Sequence, residues 1–313
     1  MPATATEPLP TELIEPPMRP EDEPARHVDT HETVIQATRG FIGINWGEMI
    51  AARELLYFFV WRDLKVRYKQ AILGVGWAVI QPLMAMFIFT AIFGAAAGFA
   101  KNIGAGWEHK YAVFVYAGLL PWQLMGSALS LGGLSLLNQQ HLVKKVYFPR
   151  LFVPTSAVGG ALVDMGISWC IVACLMVYYQ VMPMWAAVFL PLLLVLSLML
   201  ALGAAFLLSA LTIAYRDFRF LIPFMSQIWM WVSFVAFPVP PSIQTSHKWQ
   251  VLLFFNPMFG IISTYRKLLL NMPDNITGWR PIYLISSIVI SALILAAGVF
   301  YFRRTERRFA DIA

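Results

Sequence analysis

The chain has 313 residues, of which 59% are hydrophobic and only 13% charged, and its mean hydropathy is +0.66. That is more apolar surface than a water-soluble domain can hide. Its net charge of +6 gives no case for nucleic acid, because the cations flank long apolar runs, where a membrane face meets anionic lipid.

Residues 1–45 are rich in Pro, Glu and Thr, with Glu21, Asp22, Glu23 and Pro24 in sequence. Such a segment cannot bury enough apolar surface to offset its chain entropy, so a disordered cytoplasmic tail is expected. It lacks the basic start and apolar core of a signal peptide, so the expectation is that the chain enters the membrane through its own first span. Residues 46–72 then carry more charge than a spanning helix tolerates. Arg62, Lys65 and Lys69 share one helical face, Trp61, Leu64 and Tyr68 another, and Asp63 stands four residues before Arg67, at pairing distance. This predicts an amphipathic helix lying in the membrane interface. It serves either as a fixed anchor or as a gate that moves with the first span, and the residues alone leave both open.

Six apolar stretches follow, at 73–98, 111–137, 152–180, 186–212, 220–237 and 281–302, each long enough for a membrane helix. The predicted fold is therefore an all-α integral membrane protein, with a six-helix transmembrane domain at 73–302 and a basic tail at 303–313. An even number of spans puts both ends on one side. Arg53, Arg62, Lys65, Arg67, Lys69, Lys144, Lys145, Arg150, Arg216, Arg219, Arg303, Arg304, Arg307 and Arg308 fall on that side, against Lys101, Lys110, Lys248, Arg266, Lys267 and Arg280 on the other. The bias of cations toward the cytoplasm makes both termini cytoplasmic.

Gly94 and Gly98, near the end of the first span, form a small-residue pair suited to close helix packing. The segment 138–150 is polar and basic and has room for a short helix. Lys144, Lys145 and Arg150 there suit either a docking surface or a loop that holds anionic lipid. Asp164 stands nearly alone as an ionisable group inside the third span, which gives it either a polar-lining role or a partner in Ser168 or another helix. Cys170 and Cys174, one turn apart in the same span, have no companions for a metal site or a disulfide framework and read as small hydrophobes. Tyr215, Arg216, Asp217 and Arg219 suit a topology signal or a cytoplasmic contact.

In the fifth span, Phe220, Phe224, Gln227, Trp231 and Phe234 recur at helical spacing and would stack on one face. Aromatic faces suit the apolar C–H faces of sugar rings, although such stripes also serve as ordinary packing. The following segment, 238–280, is apolar but broken by prolines. Its runs at 249–255 and 258–270 are too short to cross a bilayer, which predicts re-entrant or interfacial helices. No Gly-Lys pair occurs anywhere, so a phosphate-cradling loop is missing from the sequence. Glu108, His109 and His247 form no recognisable acid-base constellation for an enzyme at the membrane edge.

The run RDLKVRYKQAILGVGWAVIQPL, from Arg62 to Leu83 with Leu73, Gly74, Trp77 and Pro82, resembles the start of polysaccharide-exporting permeases of the type-2 ABC transporter family. The likeness continues through VKKVYFPRLFVPTSAV, AYRDFRFLIP and FNPMFGIISTYR, and covers residues 46–313. It implies a permease subunit that forms a homodimer, with a channel between copies lined by the fifth span. It implies that Lys144, Lys145 and Arg150 belong to a coupling helix docked on a separate ABC ATPase, which binds the ATP and Mg, so that this chain is no enzyme and holds no cofactor or metal. It makes Arg216, Asp217 and Arg219 a second cytoplasmic contact, and Arg62, Lys65 and Lys69 part of a gate. The implied substrate is a lipid-linked polysaccharide at a bacterial cytoplasmic membrane. O-antigen comes first, capsule or teichoic acid next, and a drug or lipid exporter of the same superfamily is the further alternative.

Overall fold

The computed structural model describes residues 52–69, 72–104, 106–145 and 148–306, together with Gly47 and Ile50. The predicted tail at 1–45 and the final residues 307–313 lie outside the described residues, as do the side chains of Lys144 and Lys145. Every element among the described residues is helical. Five helices are long and apolar enough to cross a membrane: Gly76–Ala96, Glu108–Gly132, Phe152–Tyr178, Trp185–Ala214 and Pro281–Glu306. They match five of the six predicted spans and are called here the first, second, third, fourth and last.

The predicted fifth span is a helix only over Phe218–Val232. Its 15 residues reach about 22 Å at 1.5 Å per residue, against a hydrocarbon core of about 30 Å. Beyond it the chain leaves the helix and runs buried through Ser233, Phe234, Val235 and Ala236, with Phe234 at φ +55°. Bare backbone carbonyls at this depth need partners inside the protein, and Arg266 supplies them. Its guanidinium donates to the carbonyl oxygens of Phe234 at 2.8 Å, Phe114 at 3.3 Å and Val235, and lies 3.8 Å from the centre of the Phe114 ring. Arg266 was expected among the loop cations. It is instead 1% exposed, because three carbonyls and an aromatic face replace its water.

Arg266 comes from Pro257–Leu270, a helix buried along almost all of its length. This helix and His247–Phe255 are short helices where the broken apolar segment predicted re-entrant or interfacial ones, and Pro257–Leu270 is called here the re-entrant helix. Pro257 opens the longer one, where a missing N–H costs nothing, and the Asn256 side chain accepts from the Met258 N–H at 3.2 Å. The same Asn256 oxygen accepts from the Trp229 indole at 2.9 Å, and its amide donates to Ser233 at 3.1 Å. The re-entrant helix and the end of the Phe218–Val232 helix are thus held as one unit.

The second span is the most deeply buried of the five. Its Gly118 leaves room for the Arg266 clamp: a Cβ there would lie 2.5 Å from both Arg266 Nη2 and the Val235 oxygen. Of the predicted glycine pair only Gly94 is a close-packing site, since a Cβ would meet the Tyr111 ring at 2.8 Å. Gly98 has open space around it and φ +73°, and ends the first span as a left-handed residue. The tightest contact between spans involves glycines not singled out from the sequence. Gly203 of the fourth span and Gly298 of the last cross so closely that a Cβ on Gly298 would lie 2.4 Å from the Gly203 oxygen.

Arg266→Leu strands the Phe234 and Val235 carbonyls, which no helix satisfies, and Gly118→Ala forces the clamp apart. Each is expected to cost at least about 2 kcal/mol and to lower the temperature at which detergent-solubilised protein loses its monodisperse form. Gly166→Ala, at a position with nothing within 4 Å, is the control. Equal midpoints in all three variants would count against the clamp.

Candidate functional site

The helix expected in the interface, and called the interface helix for that expectation, spans Arg53–Lys69 and lies on the first half of the third span. Phe59 is buried and meets Phe148 edge-on at 5.2 Å. The two helices touch at glycines: a Cβ on Gly159 would sit 2.8 Å from Val60, and one on Gly160 would sit 3.6 Å from Arg67 Nη2. On either side of this contact the partners are polar. Asp63 accepts from Ser156 at 2.9 Å and pairs with Arg62 at 2.8 Å, while Arg62 also donates to Gln139 at 2.8 Å.

Asp63 does not pair with Arg67, as the spacing suggested. Arg67 instead reaches Asp164 on the third span at 2.5 Å, and the Tyr68 hydroxyl donates to the same carboxylate. The reason is the cost of an intramembrane carboxylate, which outweighs a weak exposed pair along one helix. Burial, and then the Asp164 carboxylate, push the Tyr68 phenol up to about 12, so it stays a donor at physiological pH. Ser168, the expected local partner of Asp164, donates to Gln123 at 2.7 Å. Two donors from the interface helix therefore close on one acid of the third span, and form a latch.

The latch residues Arg67, Tyr68 and Asp164 line a groove of about 750 Å³. Trp77, Gln81 and Phe89 of the first span, Trp122, Gln123, Ser127 and Ser130 of the second, and Met230 of the Phe218–Val232 helix form its walls. Aromatic walls, amides and hydroxyls around an ion pair make a surface for an amphipathic ligand with a polar or charged head.

Of the site residues named from the sequence, only Asp164 lines this groove. Lys65 and Lys69 are exposed, whereas Arg62 is half-buried in its pairings. Arg216, Asp217 and Arg219 are exposed, with Arg219 resting 4.6 Å from the Phe220 ring centre. Lys144 and Lys145 end the short helix Gln140–Lys145. Arg150 donates to the Glu306 carbonyl at 2.6 Å, which ties this segment to the end of the last span.

The aromatic stripe separates into three environments. Phe220, Phe224 and Gln227 are exposed. Trp231 packs edge-on against Phe89 at 5.8 Å and Phe93 at 5.5 Å of the first span. Phe234 lies past the helix end, buried beside Phe237 and Phe259. The sequence reading missed Arg67 and Tyr68 as partners of Asp164, along with Trp122 and Gln123. The polar Gln123 inside an apolar span was the available signal for the last two.

Residues 54–270 match the family described as ABC-2 type transporter. This chain belongs to that family. It is 26% identical to the O-antigen export system permease protein RfbA of Myxococcus xanthus over 261 residues, covering 83% of this chain and 96% of the relative. It is 25% identical to the protein of the same name from Klebsiella pneumoniae, covering 83% of this chain and 95% of that one. The groove and latch thus belong to an ABC-2 membrane permease, a family of transport subunits. The matched region takes in both the interface helix and the re-entrant helix that carries Arg266.

Asp164→Asn removes the charge that holds both donors, an interaction of about 1–2 kcal/mol at this partial exposure. Amide exchange in the interface helix is expected to rise about tenfold while the second span keeps its protection. Tyr68→Phe should give a smaller rise. Unaltered exchange in Asp164→Asn would mean that the latch does not hold the helix.

Proposed function

We propose that this chain is the permease subunit of an ATP-driven exporter that moves a lipid-linked polysaccharide, of the O-antigen kind, out of the cytoplasm through a channel between two copies. The observation that carries the reading is the alignment along nearly the whole length of relatives named O-antigen export permeases. The energy comes from a separate ABC ATPase that binds ATP and Mg, and Lys144 and Lys145 are part of the surface it grips. Both termini lie on the cytoplasmic side of the inner membrane. The Phe218–Val232 helix and its buried non-helical continuation together make the remaining crossing, with Arg266 satisfying the backbone that leaves the helix.

The exposed faces support the dimer. Met84, Phe87, Ile88 and Ile92 on the first span, and Phe220, Leu221, Phe224 and Ile228 on the short helix, are apolar side chains left exposed on the single chain. A two-fold axis beside them would set the aromatic edge of one copy across from that of the other. Phe220, Phe224 and Gln227 then face the passing glycan. Trp231 and Phe234 hold the helix in place. The lipid-borne head enters by the latched groove, and release of the interface helix from Asp164 opens it.

Deleting the gene should abolish surface polysaccharide, and the intact gene should restore it; a deletion strain with normal surface polysaccharide refutes the reading. Leu at both Phe220 and Phe224 keeps apolar volume but removes ring faces worth about 1 kcal/mol each. Export by that double variant is expected to fall severalfold at equal membrane protein level, with the dimer intact, and full export would leave these residues as packing. The charge reversal Lys144→Glu with Lys145→Glu should reduce co-purification of the ATPase, and intact co-purification would remove these two lysines from the contact.

A further inference from the structure

A second cleft, of about 370 Å³, lies between the re-entrant helices and the start of the last span. It is far smaller than the groove and shares no lining residue with it. Its volume lies within the roughly 300–1,000 Å³ of small-molecule sites. The floor is rigid: Tyr283 is buried and meets Phe259 edge-on at 5.2 Å. Trp279 stands at the side, half-buried, its indole N–H held by Thr264 at 3.1 Å. Lys267 lies 5.8 Å from the centre of that ring and pairs with Asp274 at 2.5 Å, so the ring and one carboxylate oxygen are both fixed in advance.

The polar groups around Trp279 are of mixed character. Gln244 spends its N–H donors on the carbonyls of Val239 at 2.9 Å and Asn275 at 2.6 Å, which turns its own oxygen into the free end. Asp274 has a second carboxylate oxygen beyond the one that Lys267 takes. Asn275 and Arg280 are exposed at the rim. Acceptors and donors therefore line the same cleft as an aromatic ring. A hydroxyl both donates and accepts, and a pyranose ring carries several of them around an apolar C–H face. A phosphate is an anion without an apolar face for the ring, and meets the Asp274 carboxylate as a like charge.

We propose that this cleft binds a single pyranose unit of the exported glycan, with Trp279 as the ring platform and Asp274, Asn275, Gln244 and Arg280 as partners of its hydroxyls. The proposal rests on the export reading above and on the outward side assigned to the segment 238–280. A sugar held here as it leaves the channel disfavours backward sliding of the chain, and it gives the permease contact with glycan structure as well as with the lipid-borne end.

The test uses the full chain in lipid nanodiscs. The probe is the water-soluble polysaccharide released by mild acid from the surface of the producing cells, and binding is read by equilibrium dialysis. Wild-type protein is expected to bind. Trp279→Leu and Asn275→Ala should each weaken the dissociation constant about three- to tenfold, the range that one aromatic contact or one hydrogen bond accounts for. The Asn275 side chain makes no hydrogen bond among the described residues, so its loss leaves the fold unchanged even if Trp279→Leu disturbs the Thr264 contact. Excess inorganic phosphate should not compete. Unchanged affinity in both variants, displacement by phosphate, or no binding by wild-type protein overturns the cleft. If deletion of the gene abolishes surface polysaccharide while any of these is seen, the export reading stands and the cleft alone fails. Surface polysaccharide that persists after deletion refutes both.

Discussion

A backbone that leaves the helix inside a membrane must find its hydrogen bonds within the protein, and in this chain one guanidinium answers for several carbonyls at once. Arg266 binds the oxygens of Phe114, Phe234 and Val235. It thereby joins the second span, the end of the Phe218–Val232 helix and the re-entrant helix. Only Arg offers five donors in a planar fork that also lies flat on an aromatic ring, and Phe114 provides that ring. Lysine could satisfy the charge but not three spread acceptors with a stacked face. The absence of a side chain at Gly118 belongs to the same device, since any Cβ would occupy the guanidinium's place. With this clamp in position a short helix can do part of the work of a longer one.

The latch at Asp164 uses the same physics with the opposite consequence. Arg266 is sealed among carbonyls and rings and has nowhere to move. Arg67 and Tyr68 belong to a helix that lies at the edge of the bundle, and their side of the pair borders a groove large enough for a ligand. The side chains of Arg67 and Asp164 keep 29% and 21% exposure, so neither charge is fully stripped of solvent if the pair separates. Arg266 is 1% exposed and holds architecture, whereas the pair at Asp164 is half-exposed and borders the groove.

Much of the fold was legible because a membrane helix writes itself as a long apolar run, and five such runs emerged close to their predicted limits. The sixth came out short because hydropathy counts side chains and ignores backbone: Phe234, Val235 and Ala236 are as apolar as helix, yet their chain is bent and clamped. The same limit explains the aromatic stripe. Helical spacing put Phe234 in line with Phe220, but the helix ends at Val232, and beyond that point periodicity carries no information. The candidate site was less legible than the fold. Asp164 was visible as a lone acid in an apolar span, but its partners lie 97 and 96 residues away in sequence, and the local candidate Ser168 donates to Gln123 instead.

The division of the stripe also shows how one short helix can serve packing and exposure together. At its end, Trp231 and Phe237 close on Phe89, Phe93 and Phe99 in a continuous aromatic cluster, and Trp229 is bound to Asn256. This end is rigid because rings and hydrogen bonds hold it to two neighbouring elements. Toward its start, Phe220 and Phe224 are 69% and 61% exposed, and Arg219 lies over the Phe220 ring. Exposed rings cost little in lipid, so hydropathy alone would never require their burial. A helix held by rings at its end and by buried Ile222 near its start therefore presents the exposed faces of Phe220 and Phe224 at a constant angle to whatever lies beside it.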